Sequence, residues 1–235
     1  MPSPEKLINA LRIEISKDNL KILDFIHHEP NVTQFFISSQ SQSSPAEIIR
    51  SIKGRWQYLS RQTDPIEFRR NYRITSVGDA KCNVLNAYVA KQSAMHPMAD
   101  FRAQTVLECL QYHDPEIDFN AIRRSSYGEY IHSLQIVIES DSGWHEIRQE
   151  VLEAYRRSII ASCRKHEWHL SRIGILSNHL HILLGAGIAD SPQSVALSLL
   201  NNLAYSQGMK PIWRFSFYAG TFGPYDRGAI WNALS

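Results

Sequence analysis

Hydrophobic and polar positions follow their clearest pattern between residues 131 and 218. Residues 143–166 carry apolar side chains at helical spacing, which predicts an amphipathic helix. Ser191 before Pro192 predicts the N-cap and first turn of a second helix. Short runs rich in β-branched and apolar residues predict four strands. These are Ile131–Glu139, Trp168–Leu176, His179–Leu184 and Trp213–Tyr218. The predicted order is therefore β-α-β-β-α-β.

An earlier part of the chain repeats this pattern. The run Asn31-Val-Thr-Gln-Phe-Phe-Ile, with Ser44-Pro45 after it, aligns without gaps with Asn178-His-Leu-His-Ile-Leu-Leu and Ser191-Pro192, at an offset of 147 residues. A second block, Ser76-Val-Gly, aligns with Thr221-Phe-Gly at an offset of 145. Because both blocks occur in the same order, the sequence predicts two diverged copies of one domain.

The repeat predicts how the chain is divided. A first copy covers residues 1–92, a linker 93–130, and a second copy 131–235. By the offset, Met1 aligns with Arg148, inside the first helix of the second copy, so the first copy lacks the first strand. Whether the linker supplies a replacement is left open. The predicted fold class is α+β, with two tandem ferredoxin-like (β-α-β-β-α-β) domains, the first trimmed at its N-terminus and the second at its C-terminus.

Composition restricts the class of protein without identifying it. With 43% hydrophobic and 20% charged residues, the sequence is typical of a soluble globular protein. No apolar run of about 18 residues predicts a membrane span, and Met1–Asn9 has no signal-peptide pattern. The three cysteines are widely spaced, which argues against a disulfide framework or a zinc ribbon and favours the cytoplasm. A net charge of +2 does not indicate a nucleic-acid partner.

Local charge is more informative than the total. Between Arg50 and Lys91, nine basic residues stand against three acidic ones, with aromatic residues interleaved. Basic and aromatic side chains together suit single-stranded nucleic acid, whose phosphates need charge and whose bases stack. The alternative is a solvated helix face with aromatic residues in the core. The candidate DNA-binding residues are Arg50, Lys53, Arg55, Arg69, Arg70, Arg73 and Lys91.

Two histidines in the third predicted strand of the second copy form a candidate metal site. His179 and His181 are two residues apart, so a strand places both on one face. Both imidazoles could then bind one metal ion. The alternative is that the two histidines are incidental, and Leu183 at the next alternate position excludes an HxHxH pattern.

A tyrosine and a glutamine form the second candidate pair. Val84, Leu85 and Val89 predict a helix, on which Tyr88 and Gln92 lie one turn apart on the same face. A tyrosine beside a metal-bound phosphate can act as a nucleophile, and a glutamine carbonyl can complete the metal's ligands. The alternative is an amphipathic helix with a packed tyrosine and a surface glutamine.

Taken together, these motifs resemble the single-tyrosine HUH transposases, which include the small insertion-sequence transposases and the REP-associated tyrosine transposases. The resemblance is carried by His179-Leu-His181, Ser191-Pro192, Ser44 to Arg55, and Ser76-Val-Gly followed by Tyr88 and Gln92. It implies a metal-dependent enzyme that nicks and joins single-stranded or hairpin DNA with Mg²⁺ or Mn²⁺. It also implies a 5′-phosphotyrosine intermediate, a free 3′-OH, and a cytoplasmic, nucleoid-associated protein.

Each copy departs from the family pattern in a complementary way. The first copy has Val32 and Gln34 at the histidine positions, and the second has Ala233 at the tyrosine position. Family dimers often pair the histidines of one subunit with the tyrosine helix of the other. The resemblance therefore implies a dimer fused into one chain, as a monomer or a further homodimer. We expect one composite site, in which His179, His181 and Gln92 hold the metal and Tyr88 attacks.

Two other functions remain open at this stage. A transposase descendant that has lost catalysis would be a domesticated DNA-binding protein with the same sheet and basic segment. A ferredoxin-like metal-dependent hydrolase of a small substrate would make the tyrosine helix coincidental. The position of the Tyr88 side chain relative to His179 and His181 distinguishes the composite site from this last alternative.

Overall fold

Helices and strands are interspersed along the described part of the chain. The computed structural model describes residues 4–28, 31–61, 65, 67–141, 143–210 and 212–228. The helices are α1 (Pro4–Ser16), α2 (Pro45–Ser60), α3 (Cys82–Ala90), α4 (Gln92–Met95), α5 (Phe101–Leu110), α6 (Gln149–Lys165) and α7 (Pro192–Ser206). The strands are β1 (Leu20–His28), β2 (Val32–Ser39), β3 (Tyr72–Thr75), β4 (Tyr112–His113), β5 (Arg123–Arg124), β6 (Gly128–Ile131), β7 (Ser133–Ser140), β8 (His169–Ile175), β9 (His179–Gly185) and β10 (Trp213–Phe222).

The second copy forms a five-stranded sheet in the order β10-β7-β9-β8-β4. Its own four strands and two helices follow the predicted order β-α-β-β-α-β, and its adjacent strands pair antiparallel. This is the ferredoxin-like arrangement. The linker adds β4 at the edge, where Tyr112 pairs with Ile173. The α+β fold class is confirmed.

Alternation along the strands separates a core face from a second face. Leu134, Ile136 and Ile138 on β7 are fully buried in one core with the apolar sides of α6 and α7. On β9, Leu180 and Ile182 belong to the same core. The intervening residues of β9 therefore point to the other side of the sheet, as alternation requires. The two histidines lie on this second face.

The first copy repeats the element order α-β-β-α-β, from α1 to β3, that α6 to β10 show in the second. Its β1 and β2 form an antiparallel hairpin that packs with α1 and α2 around Leu11, Ile15 and Trp56. However, β3 joins a separate three-stranded sheet in the order β3-β6-β5. Among the described residues, the linker thus supplies β6 as a parallel partner for β3, and no strand takes the missing place beside β1 and β2.

A set of reciprocal contacts joins the two copies after β3 and β10. Ser76 Oγ donates to the Phe222 carbonyl over 2.6 Å, and Thr221 Oγ1 donates to the Val77 carbonyl over 2.5 Å. Each residue in one bond is the 145-offset counterpart of a residue in the other. We call the contacts between residues 76–82 and 221–227 the junction.

Backbone hydrogen bonds at the junction follow the same pattern, in which each residue of one bond has its 145-offset counterpart in the other. The Cys82 N–H donates to the Gly223 carbonyl, and the Arg227 N–H donates to the Gly78 carbonyl, over 3.2 and 3.0 Å. A side chain on Gly78 would meet the Thr221 carbonyl oxygen, and one on Gly223 would meet the Ser76 carbonyl oxygen. The junction therefore has local two-fold symmetry, and both glycines permit the close approach of backbone to backbone.

The first helix of the second copy differs from the sequence prediction in where it begins. The helix predicted from residue 143 begins at Gln149, because the preceding segment is held to the turn between β8 and β9. There the Glu146 N–H donates to the Ser177 carbonyl, and the Glu146 carboxylate accepts from the Arg148 N–H. The sequence also predicts a short helix after Gly223, most of which lies outside the described residues. No helix in the described part of the chain is long and apolar enough to span a bilayer.

Candidate active site

The two histidines of β9 lie on the face of the sheet opposite its main core. His181 is 5% exposed, and its Nδ1 has no hydrogen-bond partner among the described residues. His179 is half-buried, and its Nδ1 donates to the Asn178 side-chain oxygen over 2.7 Å. That bond fixes the tautomer of His179 and leaves its Nε2 with a free lone pair.

Both imidazoles are kept in the neutral form. Burial lowers the pKa of His181 to about 4, with further lowering from neighbouring His179 and His96. Burial also lowers the pKa of His179, as does His96, against a smaller opposing effect of Glu139. A neutral imidazole offers the lone pair that a metal ion requires, whereas a protonated one does not.

Helix α3 packs on this same face of the sheet. Its residues Cys82, Leu85 and Val89 are buried in a small core that includes Leu183 of β9. The sequence excluded Leu183 as a ligand, and the structure uses it as part of the apolar surface under α3. The helix is also linked to β8, where Arg172 Nε donates to the Asn86 side-chain oxygen over 3.5 Å.

Tyr88 lies on the side of α3 that borders the histidines. Its ring meets the His181 ring edge to face, with 5.7 Å between centroids. The tyrosine is 42% exposed, so its ring is anchored while part of the side chain remains open to solvent. The structure thus brings together two candidate residues that belong to different copies.

Gln92 is not on a continuous helix with Tyr88, as the spacing predicted. Helix α3 ends at Ala90, Lys91 adopts φ −95° and ψ −1°, and α4 begins at Gln92. The side chain is 1% exposed, and neither its oxygen nor its nitrogen has a hydrogen-bond partner among the described residues. Because Gln92 is buried, it is not the surface glutamine of the alternative interpretation. A buried amide without hydrogen-bond partners lowers the stability of the fold.

His96 is a site residue that the sequence reasoning missed. Its ring contacts the His179 ring edge to face at 5.7 Å, and the His179 and His181 rings are 5.0 Å apart. His96 follows Gln92 by four residues, and that continued helical spacing was the available signal. Four rings, from His96 through His179 and His181 to Tyr88, thus form a continuous series.

The described residues hold no group of three or more His, Cys, Asp or Glu side chains that could bind a metal ion. The candidate metal ligands are the imidazoles of His179 and His181 and the amide of Gln92. Gln92 and His181 have buried polar atoms without partners. Such atoms are rare in folded proteins and require an explanation.

The basic candidates differ in what they contact. Lys53 Nζ donates to the carbonyls of Arg69 and Asn71, over 2.8 and 3.0 Å. Arg55 forms ion pairs with Glu14 and Asp18. These two cations therefore have partners within the protein. Arg70 lies over the Tyr127 ring at 5.5 Å. Other exposed candidates are Arg50, Arg69, Arg73 and Lys91.

Comparison with known proteins gives a family resemblance over part of the chain. Residues 4–92 match the family model described as "Transposase IS200 like". This segment contains the first copy with Tyr88 and Gln92, and over it the resemblance to single-tyrosine transposases is confirmed. No curated protein sequence matches the chain.

The solved structures that are similar to this chain include two transposases. One is described as a REP-associated tyrosine transposase bound to a REP hairpin, with 13% identity and a TM-score of 0.36. The match covers 44% of this chain and 62% of that protein, so the chain spans less than two thirds of its length. The other is a protein of Deinococcus radiodurans R1 assigned as a transposase, with 14% identity, a TM-score of 0.39, and coverage of 48% and 94%.

Proposed function

We propose that this chain is a transposase-like enzyme that nicks and joins single-stranded or hairpin DNA at one composite site, through a 5′-phosphotyrosine intermediate. The observation that carries the proposal is the contact between the Tyr88 ring of the first copy and the His181 ring of the second. A single chain thus unites the two halves of a site that each copy has only in part. The match of residues 4–92 to the IS200-like transposase family supports the same function.

A divalent metal ion, Mg²⁺ or Mn²⁺, fits the side chains present. His179 has a free Nε2, His181 has a buried Nδ1 without a partner, and Gln92 has a buried amide without partners. These three residues would hold the ion, which when bound would polarise the scissile phosphate and neutralise its developing charge. Lowered histidine pKa values keep both imidazoles available as ligands at neutral pH.

Tyr88 supplies the nucleophile. Its phenol oxygen attacks the phosphorus and loses its proton, a new phosphorus–oxygen bond forms, and the bond from phosphorus to the 3′ oxygen breaks. The departing 3′ oxygen takes up a proton, which leaves a 3′-OH on one strand end and a phosphotyrosine on the other. The partial exposure of Tyr88 suits this step, since a strand must reach the ring from solvent.

The composite site is also the basis for proposing a fused dimer. The local two-fold symmetry of the junction follows the offset of the sequence repeat, as contacts between two identical subunits would. Gene duplication followed by loss of one half-site from each copy accounts for both the symmetry and the complementary motifs. One chain would then be a monomer with one site.

The decisive experiment is cleavage of labelled single-stranded DNA that carries a hairpin, with Mn²⁺ or Mg²⁺. We expect a covalent protein–DNA adduct from the native chain and none from Tyr88→Phe. Tyr205→Phe is the matched control, because Tyr205 is a 78% exposed tyrosine on α7. An adduct that persists in Tyr88→Phe refutes the assignment, and DNA binding without cleavage in either metal favours the domesticated DNA-binding protein.

A mixing experiment tests whether one chain holds the whole site. Tyr88→Phe and His181→Gln are each expected to be inactive, and their mixture is expected to stay inactive if both halves come from one chain. Recovery of adduct in the mixture would show that the site forms between chains. The mass in solution, against 26.9 kDa for one chain, gives the oligomeric state independently.

A further inference from the structure

A glycine of β8 lies directly under the tyrosine helix. Gly174 pairs with His181 in the sheet, and both residues are buried. A Cβ at Gly174 would lie 2.9 Å from Val89 Cγ1, 3.5 Å from His181 Cβ and 3.6 Å from the Val89 carbonyl oxygen. The last two distances are ordinary contacts, so the obstruction would come from the Val89 side chain alone.

Val89 has little freedom to yield. It is 1% exposed in the small core under α3, and a β-branched residue in a helix is confined almost entirely to one rotamer. A side chain at position 174 would therefore move the helix rather than the valine. Because Tyr88 precedes Val89, its ring would be shifted relative to His181.

The first copy offers a natural comparison. Gln34 is the 147-offset counterpart of His181, and it pairs with Ile26 as His181 pairs with Gly174. Cross-strand partners in a sheet point to the same face. The residue that pairs with the histidine position across the sheet is therefore a glycine in the second copy and has a branched four-carbon side chain in the first.

We propose that Gly174 is a positioning residue, whose lack of a side chain lets α3 approach the sheet closely enough for Tyr88 to meet His181. By the same argument, the first copy has lost the space for a tyrosine helix together with its histidines. The proposal deepens the proposed function and rests on it for the consequence in catalysis. The positioning itself has a readout that does not depend on cleavage.

That readout is the ring contact between Tyr88 and His181. In the metal-free protein, the His181 ring protons are expected to carry a ring-current shift from Tyr88, which Tyr88→Leu removes. Gly174→Ala is expected to reduce the shift by at least half, because the ring-current effect falls steeply with distance. Gly54→Ala is the matched control, since a Cβ at Gly54 meets nothing within 4 Å. It should leave the shift unchanged.

In the cleavage assay, Gly174→Ala should lower the rate of adduct formation at saturating DNA by about 100-fold, the cost of a misplacement of about 1 Å. The KM for DNA should stay within about twofold, because the substitution affects orientation rather than binding. Rescue is the sharper test. Val89→Ala removes the obstructing Cγ1, so Gly174→Ala/Val89→Ala should regain most of the ring-current shift and of the rate.

The double variant also keeps the proposal testable if Gly174→Ala folds poorly, since it restores the space that the single variant lacks. An unchanged ring-current shift in Gly174→Ala overturns the proposal, and so does a double variant that folds without regaining it. If the native chain forms no adduct while the shift responds as described, the proposed function fails and the positioning stands.

Discussion

Two strand pairs occupy equivalent places, β8–β9 in the second copy and β1–β2 in the first. Their polar groups differ in burial and in hydrogen bonding. In the first copy, Gln34 Oε1 lies 3.3 Å from His28 Nε2, and Val32 is 59% exposed. In the second copy, the equivalent His181 is 5% exposed, with a nitrogen that has no partner. Buried polar groups without partners destabilise a protein, so they indicate a requirement other than stability.

The difference shows which of the two strand pairs keeps a buried polar group without a partner. A hairpin that satisfies its polar groups or exposes them to water has the properties of a structural element. A strand that buries an imidazole without a partner, in a chain that also buries the Gln92 amide without one, retains groups that a ligand could use. Under the proposed function, the two copies would thus separate the roles that a symmetric pair would share.

The largest effect is expected when the residues of the first copy are placed in the second. His179→Val/His181→Gln should reduce covalent adduct formation at least about 1,000-fold, because it removes the two imidazoles that would hold the ion that neutralises developing charge. The melting temperature, measured beside that of the native chain, checks that the double variant remains folded. The reverse transfer, Val32→His/Gln34→His, should create no second adduct per chain. Two adducts per chain would contradict the comparison.

A smaller effect is expected from substitutions that test the symmetry of the junction. Gly78→Ala and Gly223→Ala should each lower the free energy of unfolding by about 3 kcal/mol, because each methyl group would meet a backbone carbonyl of the other copy. Gly54→Ala, in the open face of α2, should raise it by up to about 1 kcal/mol. Urea unfolding measures all three. If Gly223→Ala lowers the free energy of unfolding and Gly78→Ala does not, the two halves of the junction are not energetically equivalent.

The smallest effect is a pH dependence located in the second copy. Burial lowers the pKa of His132 to about 4, and its Nε2–H donates to the Asp190 carbonyl over 3.0 Å. The unfolded chain takes up a proton near pH 6.5 and the folded chain does not, so stability falls as pH drops from 6.5 towards 4. His132 alone should account for about 2 kcal/mol of this loss by pH 5.

His132→Gln should flatten this part of the stability–pH profile, measured by urea unfolding between pH 7 and 5. Asp18 of the first copy serves as the contrast. A hydrogen bond from Arg55 and another from Ser51 lower its pKa to about 2. The contribution of Asp18 to stability is therefore lost only as the pH falls from about 3.8 towards 2. A profile for His132→Gln that matches the native one would disprove the role of His132.

Features set by local sequence could be predicted. The strands of the second copy alternate regularly, and Ser191 and Pro192 begin α7 as the capping pattern indicated. The contact between Tyr88 and His181 could also be predicted, because the repeat indicates which motif each copy retains. The pairing of Tyr88 with His181 followed from that complementarity.

Features set by distant contacts could not be predicted. Helix α6 starts late because Glu146 is bound to the turn at Ser177, which no local propensity reveals. The pairing of β3 with β6 and the partners of Lys53 and Arg55 depend on residues 16 to 56 positions away. The break at Lys91, which separates Gln92 from the helix of Tyr88, has no signal in the residue types around it.

The junction also has a consequence for the timing of synthesis. The hydrogen-bond partner of Ser76 lies 146 residues later in the chain. Synthesis of that segment takes about 10–30 s at the usual rate of translation. The hairpin of β1 and β2 closes over a far shorter span, so the first copy can acquire its own core in that interval. Until Phe222 leaves the ribosome, the backbone around Gly78 remains open to water and to other nascent chains.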